Sequence, residues 1–300
     1  MKIVAHQLAS ALLAGTQWSS VAAAQGYNFT DEQLRNANRS LSIGYVSAAH
    51  TGEPSSSYPH QVLYTGFTML DVFGPLELLW DISQTYNVTL SIIASEAGPV
   101  HSRSPAIHSP NGALVDTSPS LDVQAVATHT FASAPPLDVL VVPGGLGVYY
   151  LTEIGDTQIE DFIASRFATT EYVLSVCVGS GLLARAGVLA GRRATTNKSA
   201  WDTVVKYGRN VTWVPSARWV HDGKLWTSSG VQAGMDMMAA FLRHIYGDPV
   251  VSNAVNNDEF VPHVDPDWDP FAVLFDVPGA NTNRSLVDCA GPLDSYPGYG

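Results

Sequence analysis

One residue in this chain pairs a reactive group with a backbone setting that could activate it, Cys177. It closes a short, uncharged apolar run, Tyr172-Val-Leu-Ser-Val176, which reads as a buried strand. Val178-Gly-Ser-Gly181 follows, and then a helical pattern over Leu182-Leu-Ala-Arg-Ala186. Strand, tight turn and helix with a nucleophile at the turn describe a nucleophile elbow. Gly179, Ser180 and Gly181 are small enough to let the helix lie close against its strand. At a helix N-terminus, unpaired N–H groups and the helix dipole favour a thiolate, so this position predicts a thiol of depressed pKa. A buried structural cysteine is the alternative reading, and the elbow position favours catalysis over it.

The rest of the chain must supply a sheet and the helices that cover it. Leu41–Val46, Val88–Ala94 and Leu137–Val142 read as strands, and Gln61–Tyr64 is a short apolar piece that could continue or replace the first. Pro75 suits the first turn of a helix running to about Gln84. Helices are also expected over Asp156–Phe167, from Lys198 to about Tyr207, and over Val231–His244 and Val250–Asn257. His101–Thr130 should hold a hairpin or short strands near Leu114–Asp116. Arg192–Thr196, Val211–Val214, Ala217–His221 and Lys224–Thr227 read as further strands, the last two joined at Asp222-Gly223. Strands alternating with helices predict an α/β fold, a three-layer sandwich with a mainly parallel sheet. Sites in such sheets form at the carboxyl ends of strands. Cys177, the Gly144-Gly145 turn and Asp71 are all expected there.

Composition narrows the function classes. Three hundred residues with 46% hydrophobic content support a substantial core. A net charge of −12 argues against a nucleic-acid surface, which needs a basic patch. Beyond the N-terminus no apolar run is long enough to suggest a membrane span. Met1-Lys2, the apolar Leu8–Ala14 and the small Ala22–Ala24 form the three parts of a secretory signal peptide over 1–24, with a disordered or amphipathic extension as the alternative. Sequons at Asn28, Asn38, Asn87, Asn197, Asn210 and Asn283 reinforce the expectation of a secreted protein. Asn197 follows the strand after the elbow helix, close to the expected pocket, so its sequon is expected to be unused. The other cysteine, Cys289, is either unpaired or joined to Cys177 in a disulfide that would silence the thiol.

Four blocks in order resemble the ThiJ/PfpI superfamily: LDVFGP at Leu70–Pro75, DVLVVPGGLG at Asp138–Gly147, SVCVGSGLLARAGVLAGRRATTNK at Ser175–Lys198 and TSSGVQAGMDM at Thr227–Met237. The resemblance spans roughly Leu41 to Gly247 and implies a class I glutamine amidotransferase-like, flavodoxin-like fold. The isonitrile hydratases and their fungal relatives are the branch it is most similar to. It implies Cys177 as nucleophile and Asp71 as its acidic partner. A carboxyl sharing a proton with a thiol in a partly dry pocket can stay protonated near neutral pH and act as a general acid. Capping the helix at Pro75 is the structural alternative for Asp71. Gly144, Gly145 and Val178 are implied as backbone N–H donors to charge developing on the substrate, although a plain tight turn would need the same glycines. Val178 departs from the Thr usual after the cysteine in the hydratases, and Asn197-Lys198 stands where bacterial relatives often carry His and Trp.

The implied reaction is cofactor-free addition of water to an isonitrile, giving an N-substituted formamide, by a homodimer acting on a small molecule. A glyoxalase-like or amide-cleaving enzyme on the same scaffold, or a redox-sensing or ligand-binding protein, are the competing readings. The domain is expected over 41–258, between a polar lead-in at 25–40 with about one helical turn and an irregular, poorly ordered or draped tail at 259–300. The histidines show no metal-ligand spacing, and Asp265, Asp267 and Asp269 lack the glycine and glutamate of a calcium loop. Trp213, Trp219 and Trp226 are expected in the core or at a dimer contact.

Overall fold

The computed structural model describes residues 28–46, 64–108 and 112–284. The signal-peptide segment, Gln61 to Leu63 of the second apolar piece, and Cys289 lie outside those residues. Among them, one sheet is built from β1 (Leu41–Val46), β2 (Val88–Ala94), β3 (His129–Thr130), β4 (Val139–Val142), β5 (Tyr172–Ser175), β6 (Trp219–Asp222) and β7 (Leu225–Ser228). The strand order is β6-β7-β5-β4-β1-β2-β3. Every pairing is parallel except the β6–β7 hairpin at the edge.

The central strands are uncharged because both of their faces are covered. Val139 to Val142 are fully buried, as are Val173 and Leu174, the mark of a parallel sheet between helical layers. Four helices pack around one another, α1 (Asp31–Ala37), α2 (Met69–Ser83), α6 (Val231–Tyr246) and α7 (Asp248–Asn257); α3 (Gly147–Ile154) and α4 (Gln158–Phe167) pack on α5 (Gly179–Arg185). Helices, sheet and helices make the expected three layers. No helix among the described residues is long and apolar enough to cross a membrane.

Some elements differ from the expectation, each for a physical reason. Helix α2 begins at Met69, not at Pro75, which sits inside it. Helix α3 was not foreseen at all: it is short and emerges directly from a glycine-rich turn. The lead-in is more than one helical turn. Thr30 and Gln33 form a capping box (Gln33 N to Thr30 Oγ1 3.2 Å, Thr30 N to Gln33 Oε1 3.0 Å). Gln33 Nε2 and Asn36 Nδ2 then donate to Arg243 O (3.1 Å) and Ile245 O (3.0 Å) at the end of α6. Polar side chains dock α1 by satisfying terminal carbonyls of another helix, so no apolar periodicity announced it.

The tail drapes over the body as far as it is described. Pro266 O accepts from Arg218 N (2.7 Å), and Asp269 N donates to Ser216 O (2.8 Å). Ala272 and Val277 form a small second core with Trp201. Trp219 and Trp226 are buried, and Trp213 packs edge-on to Trp201 at 6.3 Å. Asp269 is buried between Arg218 and Lys198, while Asp265 pairs with Arg284, so two of the three clustered aspartates serve ion pairs.

Candidate active site

Cys177 stands where β5 gives way to α5, with φ of 59°. An L-residue in the left-handed region is strained, and its neighbours hold it there. Its N–H donates to Ser229 O (2.8 Å), and its carbonyl accepts from Ser180 Oγ and Thr196 Oγ1 (3.2 Å each). The first residue of α5 must be small, since a Cβ at Gly179 would lie 2.4 Å from Val142 O. This is the elbow that the spacing predicted.

Asp71 reaches the same point from the first turn of α2. Thr68 is the N-cap of that helix, so Asp71 does not cap it. Its Oδ2 accepts from Gly144 N at 2.9 Å, and its carboxyl faces the Cys177 thiol across Gly144, close enough for each group to shift the titration of the other. The other oxygen, Oδ1, is buried without a well-aligned partner. Pro75, four residues on, has no N–H to offer the Asp71 carbonyl, so the helical ladder is interrupted at this residue.

The Gly144-Gly145 turn at the end of β4 fills the space between the two. A Cβ on Gly144 would lie 2.8 Å from Cys177 Cβ and Val178 N, and 2.9 Å from Asp71 Oδ2. Gly145 has φ of 147°, and a Cβ there would lie 2.1 Å from Gly66 O. Of the backbone donors expected here, Gly144 N–H is committed to Asp71, and Val178 N–H lies beside the Cys177 sulfur and favours its thiolate. Gly145 N–H donates to no group among the described residues. Gly144→Ala is expected to destabilise the fold by about 1–3 kcal/mol through overpacking, and to lower any Cys177-dependent turnover more than it lowers stability. Chemical denaturation and thiol reactivity, measured on the same variant, check both.

The electrostatics correct one expectation. Burial pushes the Asp71 carboxyl up to about 7, against the opposing pull of the Gly144 N–H and the thiol. Burial likewise pushes the Cys177 thiol up; the Asp71 charge and hydrogen bond add to this, and the Val178 N–H and Asn197 amide pull it back. The acidic thiol predicted from the helix N-terminus is therefore not what the structure gives. A seven-residue helix cannot offset burial beside a carboxylate. Above about 7 the two groups hold one proton between them, and below it they hold two.

Asn197 is the polar contact that the sequence did not assign a role. Its Nδ2 donates to Cys177 Sγ at 3.2 Å. Two tyrosines, Tyr64 and Tyr149, also feel the Cys177 charge. Tyr64 donates to Pro143 O at 3.1 Å, and its hydroxyl is pushed well up by burial, with the charges of Asp71 and Cys177 adding. Tyr149, on the unforeseen α3, is raised by burial and by Cys177. Asp236 takes no part: it is fully buried and accepts from Arg218 Nε at 2.7 Å. Asn28, Asn38, Asn87, Asn210 and Asn283 are exposed, whereas Asn197 is half-buried. The Asn197 amide nitrogen is the atom a glycan would occupy, so glycopeptide mapping of material from a secreting host is expected to find that sequon bare.

Known proteins resemble this chain in sequence and in fold. Isonitrile hydratase from Pseudomonas putida is 42% identical over 135 residues, 45% of this chain but only 57% of that enzyme. An uncharacterised protein in the cpoL 5′ region of Streptomyces lividans is 33% identical over 146 residues, 46% of this chain and 88% of its own. A ThiJ/PfpI family protein from Pseudomonas syringae superposes with a TM-score of 0.56 at 26% identity, over 75% of this chain and 77% of its own. Drosophila melanogaster DJ-1beta shares the fold, with a TM-score of 0.53 at 18% identity over 74% and 100% of the two chains. The elbow, Asp71 and the glycine turn all fall within residues 63–244, which match the DJ-1/PfpI family, and the chain belongs to that family.

Proposed function

We propose that the protein is a cofactor-free isonitrile hydratase with Cys177 as nucleophile and Asp71 as its proton-transfer partner. The observation that carries this is the buried Cys177 thiol facing the buried Asp71 carboxyl across Gly144 at a strained elbow, in a chain 42% identical over part of its length to an isonitrile hydratase.

The shared proton does two jobs. With the proton on Asp71, the Cys177 thiolate bonds to the terminal carbon of the isonitrile while Asp71 protonates that same carbon, leaving a thioimidate and an Asp71 carboxylate. The carboxylate then takes a proton from water as its oxygen bonds to the carbon, and returns that proton to nitrogen. The C–S bond breaks, the remaining hydroxyl proton passes to Asp71, and an N-substituted formamide leaves with the pair restored. Backbone donors at Gly145 and Val178 steady charge on the reacting atoms. Gly144 contributes indirectly, by fixing Asp71.

Incubation with a simple alkyl or aryl isonitrile is expected to give the matching formamide, gaining one water by mass. Intact-protein mass spectrometry at short times should catch the thioimidate on Cys177. Formamide production unaffected by blocking the thiol overturns the assignment. The expected signal peptide and the exposed sequons extend the proposal to an exported, glycosylated enzyme, and the family resemblance extends it to a homodimer.

A further inference from the structure

We propose that Asn197 is a third catalytic residue of this site, holding an amide N–H on the Cys177 sulfur to stabilise the thiolate. The inference rests on Cys177 being the nucleophile, but not on which substrate it attacks.

The orientation of an Asn amide is decided by its partners, because oxygen and nitrogen look alike. Here the partners leave no choice. Ala200 N, a backbone N–H that can only donate, lies 3.2 Å from one terminal atom of Asn197, and Ser199 Oγ lies 2.6 Å from the same atom. That atom must be the acceptor Oδ1, so the atom 3.2 Å from Cys177 Sγ is the donor Nδ2. The amide cannot turn over without setting its N–H groups against the Ala200 N–H.

The support behind the amide is equally fixed. Thr196, the residue before it, is fully buried and bonds the Cys177 carbonyl through Oγ1 (3.2 Å). Lys198, the residue after it, is buried and donates through Nζ to Thr195 Oγ1 (2.7 Å), Ala217 O (2.8 Å) and Thr196 O (3.2 Å). The segment thus grips the elbow at two points, the carbonyl and the sulfur of one residue. A donor aimed at sulfur stabilises the thiolate over the thiol and opposes what burial and Asp71 do. It also favours leaving of the sulfur when the C–S bond breaks. Val178 has no hydroxyl to serve that purpose, so the polar side chain on the sulfur comes from the Asn197 segment instead.

The test is titration of the Cys177 thiol in the full chain carrying Cys289→Ser, followed by thiolate ultraviolet absorbance and by the pH profile of iodoacetamide alkylation. Asn197→Asp keeps size and shape but places an acceptor, and above its own titration a negative charge, on the sulfur. It is expected to move the thiol midpoint to higher pH and to slow alkylation at neutral pH by about tenfold or more. Asn197→Ala should shift the midpoint the same way by less. Ser199→Ala removes the sequon and one clamp on Oδ1 without touching the sulfur, and should give a smaller shift still. Circular dichroism identifies any variant that fails to fold. Folded Asn197→Asp and Asn197→Ala proteins with the wild-type midpoint overturn the proposal. A midpoint that depends on Asn197 in a protein unable to hydrate isonitriles removes the hydratase reading and leaves this one standing.

Discussion

Asp71→Asn is expected to lower turnover by about 10²–10⁴-fold, the usual contribution of a general acid–base group, and to change the shape of the pH profile. In the wild type the working state has one proton on the Cys177–Asp71 pair. Below about 7, the value to which burial pushes Asp71, both groups are protonated and no thiolate can form by internal transfer. The rate should therefore rise through that pH and fall only when the second proton leaves, at a pH raised by burial and by the Asp71 charge. The Asn side chain can still accept from Gly144 N–H, but it carries neither charge nor proton. Its variant should lose the rise near 7, and its thiol should titrate at lower pH than the wild type. A thiol midpoint that stays put or moves up would break the assignment of the pair.

The same substitution should raise stability as it lowers activity. A carboxyl whose folded value lies above its unfolded one is favoured by folding below its unfolded value, and that advantage is lost as pH rises through the folded value. For Asp71 the window runs from the ordinary carboxylate value, 3.8, to about 7. Asn does not ionise, so its melting temperature should gain on the wild type progressively across that window and hold the gain above it. Thermal melts at intervals across the window check the sign. A flat difference would mean that Asp71 is not ionising in a buried setting.

The parts of the site that could be read in the sequence are those made by neighbours in the chain. The elbow needs only a strand, a cysteine and small residues in succession, and the fold class follows from apolar runs alternating with helical patterns. Contacts between distant segments were harder. The Gly144 N–H bond to Asp71 spans 73 residues, and nothing in either block shows that this donor is committed to the carboxylate. The thiol illustrates a different limit: helix position argues for acidity, while burial and a carboxylate from α2 argue against it, and only the assembled site weighs the two. Asn197 was visible as a sequon and as a departure from His, but the acceptor role of its Oδ1 depends on local turn geometry. Pro75 misled for a specific reason. Proline favours the first turn of a helix, yet α2 carries it inside, where it breaks the ladder at the residue that faces the thiol.

Removing the nucleophile should separate chemistry from strain. Cys177→Ala is expected to reduce turnover by about 10³-fold or more, as loss of a covalent nucleophile typically does, with no adduct detectable by mass. Cys177→Gly should be equally inactive, since both lack the sulfur, the Asn197 contact and the partner of Asp71. The two should differ in stability. At φ of 59° a residue with a Cβ carries a penalty of about 1–2 kcal/mol that glycine escapes. Glycine returns part of that through its larger entropy in the unfolded chain. The Gly variant is therefore expected to be more stable than the Ala variant by roughly 1 kcal/mol, read from paired denaturant titrations. An Ala variant as stable as the Gly variant would mean that the elbow is relaxed, and that the hydrogen bonds from Ser180, Thr196 and Cys177 N–H merely decorate it. The expected order means that they hold a disfavoured conformation because it presents the sulfur to Asp71 and Asn197 together.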